Sequence, residues 1–100
     1  MATVQLYGPY YVLQSSQNKF KPGEVRRFGF GPWPFRRGTA TVSAAIQDFS
    51  PLEAGTRRIT VESIEYELSE HEQDYIVFTY RNTGDDEIQG WLFNLSIVEP

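Results

Sequence analysis

One hundred residues, 15% of them aromatic and 22% charged, with a formal net charge of −4, fit a single domain that buries roughly two-thirds of its unfolded surface. The absence of cysteine excludes disulfides and thiolate metal sites and leaves the compartment open. No apolar run approaches the ~20 residues that span a bilayer, and the start, Met1 to Pro9, lacks the basic and apolar regions of a secretory signal, so a chain without a membrane span is expected.

In chain order, Thr3 to Tyr7 and Tyr10 to Gln14 read as two short strands separated by Gly8-Pro9. Lys21-Pro22-Gly23-Glu24 has Pro and Gly at the central positions that a type II turn prefers. A strand follows over Val25 to Phe30, and Thr39 to Ile46 alternates with Ala40, Val42, Ala44 and Ile46 on one side. Ile59-Thr60-Val61 and Ile64 to Leu68 are strand-like, with an apolar phase slip between them that a β-bulge near Glu62-Ser63 absorbs. Tyr75 to Tyr80 places Ile76, Phe78 and Tyr80 on one face and stops at the turn formers of Asn82 to Asp86. Trp91, Phe93, Leu95 and Ile97 then form a final one-sided stripe.

About seven strands and no helical period predict an all-β fold, an antiparallel two-sheet β-sandwich of Ig-like type without a long helix, occupying residues 1–100 as one domain. The expected core is Val42, Ala44, Ile59, Val61, Ile76, Phe78, Trp91, Phe93, Leu95 and Ile97. Two strands are apolar on both faces: Tyr10 to Leu13, and Tyr75 and Val77 opposite Ile76 and Phe78. Residues 1–50 carry six Lys/Arg and two acids, whereas residues 51–100 carry three Arg and eleven acids, balances of +4 and −8. Two-faced strands and opposite charge suit a homo-oligomer, or halves that meet within one fold. The acidic total argues against nucleic acid as the partner, because phosphate binding needs clustered positive charge.

No catalytic constellation is visible. There is no cysteine, the single His71 sits in an acidic turn, Glu70 to Asp74, and no serine carries a surrounding motif. Neither cofactor nor metal is expected, since the acidic turn has no diagnostic ligand spacing. The densest chemistry lies in Arg26 to Arg37, where four arginines and four large aromatics share twelve residues with Gly and Pro. As a ligand-binding site, Trp33 and Phe35 with Tyr10 and Tyr11 would supply ring faces, and Arg36 and Arg37 planar donors. As structure, Phe28 and Phe30 face the core and Trp33 caps one end of the sandwich.

From Gly38 onward the chain resembles small bacterial Ig-like sandwich domains, including the adhesion-type CARDB modules. The residues are Gly38 to Ala44, Ile59-Thr60-Val61, Ile76 to Gly84 with its Arg-Asn-Thr-Gly turn, and Ile88 to Trp91. The order of Pro34-Phe35, Val42-Ser43, Asp48, Arg58 and Thr79 to Thr83 is also similar to H-type lectins, with Tyr80 where that pattern carries Trp. The first resemblance implies a non-catalytic binding or interaction module with a protein partner. The second implies the alternative, a small carbohydrate-binding lectin that engages a glycan through the aromatic and arginine loop.

Overall fold

In a computed structural model the alternating stripes condense into six antiparallel strands: β1 (Thr3–Val12), β2 (Val25–Trp33), β3 (Thr39–Ile46), β4 (Ile59–Leu68), β5 (Asp74–Asn82) and β6 (Trp91–Glu99). The structure describes residues 3–12, 19–33, 39–68 and 74–99, with the backbone alone at Pro32, Trp33, Asp74 and Glu99. Two three-stranded sheets, ordered β1-β6-β3 and β2-β5-β4, pack face to face as a β-sandwich, and the described residues contain no helix.

Six strands replace the expected seven because Thr3–Tyr7 and Tyr10–Gln14 are not a hairpin. Thr3–Tyr7 and Tyr10–Val12 both belong to β1, which pairs with β6 and shifts register between Tyr7 and Tyr10; Leu13 and Gln14 lie outside the described residues. Gly8 at φ 116° and Pro9, joined by a cis peptide, form that irregularity. A Cβ on Gly8 would lie 3.0 Å from the Phe93 carbonyl, so glycine is what lets β1 stay against β6. The expected bulge in β4 does occur, between Val61 and Ser63. The Lys21–Glu24 turn forms as well, with Gly23 at φ 82° and the Glu24 amide donating to the Lys21 carbonyl at 3.0 Å.

Period two explains the core directly. Trp91, Phe93, Leu95 and Ile97 of β6 are buried against Ile76, Phe78 and Tyr80 of β5, and both strands are central in their sheets. Their rings interlock, with centroids 4.8 Å apart for Phe78–Phe93 and 4.7 Å for Tyr80–Phe93. Phe28 and Phe30 of β2 face inward as their structural reading requires, Phe30 stacking on Phe78 at 5.7 Å. Val42, Ala44, Ile59 and Val61 lie on the edge strands β3 and β4 and are only half-buried, packing against the core rather than inside it.

Phe20 and Ile88 are core residues that periodicity does not find. Each is fully buried, and the pair closes one end of the sandwich through an isolated bridge with amide–carbonyl distances of 2.8 and 3.0 Å. Beside them, the Arg26 guanidinium lies 5.0 Å from the Phe20 ring centre and 5.3 Å from that of Trp91. Asn82, a turn residue by composition, is buried; its amide donates to the carbonyls of Phe20 and Asp86 while its oxygen accepts from the Gly84 amide.

Candidate functional site

After β3 the chain runs without regular structure from Gln47 to Arg58, which requires another source of order for its backbone groups. Arg57 supplies it. Its guanidinium donates to the carbonyls of Asp48, Ser50, Pro51 and Glu87 and to the Ser50 hydroxyl, at 2.6–3.3 Å. It also meets the carboxylates of Asp86 at 3.1 Å and Asp48 at 3.7 Å, and all three side chains are at least nine-tenths buried. Asp48 in turn accepts from the Ser50 amide and hydroxyl and the Gln89 amide, and Asp86 accepts from the Glu53 amide. Burial pushes the Asp48 carboxyl up, but the hydrogen bonds from Ser50 and Gln89 and the Arg57 charge outweigh it and hold the group below its ordinary range. These residues line a cavity of about 260 Å³. Its polar groups are engaged with one another, so the cluster is a clasp that fixes the loop.

What the clasp fixes is a display. Phe49 and Leu52 are 81% and 58% exposed although Ser50 and Pro51, which lie between them, are hydrogen-bonded to Arg57. Glu53 and Glu87 line the clasp cavity together with Ser50 and Pro51 of the same loop. Apolar exposure recurs along β4, where Ile64, Tyr66 and Leu68 are all open to solvent.

The outer face of the β2-β5-β4 sheet carries a second, shallow groove of about 360 Å³ lined by Arg27, Gly29, Glu67, Tyr75 and Val77. Arg27 of β2 and Glu67 of β4 approach to 3.5 Å from opposite sides of β5. This pair accounts for the second apolar face of β5: Val77 is buried on the outer surface of the sheet, within a groove flanked by charge.

Of the six residues expected to bind ligand, Tyr10 and Tyr11 have described side chains, and these two face opposite sides of β1. Tyr10 turns inward, its ring 4.7 Å from Phe30, while Tyr11 faces the other side of β1 and is 58% exposed. Adjacent strand residues point to opposite faces, so these two tyrosines cannot share a platform. Trp33 ends β2 opposite Asp74, with its side chain outside the described residues, as are Phe35, Arg36 and Arg37. His71 with Glu70 and Glu72 also lies outside them. Among the described residues no three His, Cys, Asp or Glu side chains are grouped to hold a metal, and no helix is long and apolar enough to cross a membrane.

Sequence reasoning missed Phe49, Leu52 and their clasp. Asp48, Arg57 and Asp86 stand in separate turn-like stretches, where charges ordinarily face water, and nothing in their spacing joins them. The one available signal was a pair of large apolar residues, Phe49 and Leu52, inside a segment with no strand period. No known protein family, no curated protein and no solved structure matches the chain.

Proposed function

We propose that this chain is a non-catalytic interaction module that binds a protein partner. The observation that carries the reading is Phe49, 81% exposed on a loop whose backbone is fixed by the buried Arg57. An exposed aromatic side chain on a backbone already fixed has met part of the ordering cost of binding and serves as an anchor for an apolar pocket. Leu52 adds a second exposed apolar side chain to the same loop, and Glu53 and Glu87 of the clasp cavity favour a partner whose pocket has a basic rim. The polar groups of the Arg57 clasp are engaged in holding the loop that carries Phe49.

A photo-reactive phenylalanine analogue at position 49, compared with one at the exposed Thr41 of β3, tests this in cells producing the protein. A discrete protein adduct is expected from position 49 alone, competed by excess wild type and not by the Phe49→Ser, Leu52→Ser double variant. Adducts from both positions, or adducts indifferent to the competitor, would refute the reading. Saturable glycan binding by wild type that Trp33→Ala abolishes would replace it with the carbohydrate alternative.

A further inference from the structure

The second half of β4 is unlike any other strand in the molecule. From Glu62 to Leu68 seven consecutive residues are exposed, so both faces of this stretch meet solvent. Among the described residues it is also an edge: β4 pairs with β5 on one side and with no described strand on the other. The bulge at Val61–Ser63 explains the composition of its two faces. Before it, Ile59 and Val61 pack against the core; after it, Ile64, Tyr66 and Leu68 take the inward side, opposite Phe78, Ile76 and Asp74. They are only partly covered there and remain 41%, 48% and 63% exposed. The other side carries Glu65 and Glu67, opposite Val77 and Tyr75, with Glu67 also 3.5 Å from the Arg27 guanidinium in a half-exposed pair across β5.

An open edge bearing apolar side chains on one face and carboxylates on the other is a template for an added strand of complementary alternation. We propose that Ser63 to Leu68 is a strand-addition site for an extended, basic segment of a protein partner. Apolar residues of that segment lie beside Ile64, Tyr66 and Leu68, and lysines or arginines alternate beside Glu65 and Glu67. A slip of one residue would put its cations on the apolar side, so the two faces together fix the register.

Charge argues for a foreign strand over a second copy of the same edge. Two β4 strands paired antiparallel about Tyr66 would match Ile64 with Leu68 but would set Glu65 of each chain opposite Glu67 of the other. Like charges directly opposite one another oppose pairing. A basic segment turns the same carboxylates into attractive partners. This surface is separate from the Phe49 loop, so either can fail without the other.

Amide chemical shifts of the full-length protein, titrated with synthetic octapeptides, provide the test. One peptide alternates lysine with valine and threonine; its twin has glutamate in place of lysine; a third is the lysine peptide N-methylated along one edge. The lysine peptide should shift amides of Ser63 to Leu68, with the other two at least about tenfold weaker, as expected for two lost cross-strand charge pairs or a lost ladder. Glu65→Lys with Glu67→Lys should reverse the preference between the first two peptides, while Phe49→Ser should leave it unchanged. Equal binding of the lysine and glutamate peptides, or shifts centred elsewhere, would overturn the proposal. Concentration-dependent shifts on the same amides without peptide would overturn it in favour of a second copy.

Discussion

Replacing Arg57 by methionine removes the positive centre of the clasp and keeps most of the aliphatic bulk. Four backbone carbonyls and the Ser50 hydroxyl lose a donor, and the buried carboxylates of Asp48 and Asp86 lose their cation. Removing one member of a buried ion pair typically costs 3–5 kcal/mol. Asp48 keeps its hydrogen bonds from Ser50 and Gln89, and Asp86 keeps that from Glu53, which places the expected cost near the lower end, about 3 kcal/mol. With a urea m-value of about 2 kcal/mol/M, the midpoint should fall by about 1.5 M. A domain of this size, stable by roughly 5–15 kcal/mol, still folds after that loss. Arg57→Lys should fall between, because an ammonium restores the charge but cannot reach the same fan of carbonyls. Equilibrium urea unfolding of the three proteins decides the matter. A methionine variant within about 0.5 kcal/mol of wild type would show that the clasp is not what orders residues 47–58.

Phe78→Ala, at the fully buried centre of the ring cluster, should cost about 3–5 kcal/mol in the same assay; below about 1 kcal/mol its central placement fails. At Gly84 an added Cβ would stand 2.3 Å from the Thr56 carbonyl oxygen and 2.8 Å from the Arg58 amide nitrogen. Gly84→Ala should therefore cost about 1–3 kcal/mol and expose the Thr83 and Asp85 amides, which donate to Arg58 and Thr56, to hydrogen exchange. Asp48 and Glu24 both titrate below their ordinary values in the folded protein, Glu24 chiefly through its hydrogen bond from Arg26. A carboxylate lowered by folding stabilises the protein above its unfolded value, near pH 4, and that stability is lost as pH falls through the folded value. Urea midpoints should thus drop below about pH 4, less steeply in Asp48→Asn; a midpoint that stays level into strong acid contradicts this.

The fold was legible because a half-buried strand writes its inner face at every second residue. β6 and β5 show this in Trp91 to Ile97 and Ile76 to Tyr80, and the β4 bulge shows it as a change of phase. Thr3 to Tyr7 and Tyr10 to Val12 were read as separate strands because a glycine interrupts the alternation, whereas Gly8 only shifts the register of a strand that continues. Phe20 and Ile88 were illegible because each stands alone among polar neighbours, and its burial depends on a partner 68 residues away. Arg57 was illegible for a related reason. Its role is set by carbonyls, which every residue type has, so no side-chain pattern announces it.

The order of strands also bears on how the chain acquires its structure. β6 lies between β1 and β3, and β5 lies between β2 and β4. In each sheet the central strand is therefore the last of its three to leave the ribosome. Until residues 91–99 emerge, β1 and β3 have no neighbour to pair with, and the first and last strands must find each other across the whole chain length. Such distant pairing delays productive closure until β6 has been made and belongs to the slow, millisecond-to-second regime of β-rich folding. A nascent chain halted before Trp91 would present two long, unpaired β-sequences, which makes the final nine-residue strand the step that removes this protein from the risk of aggregation.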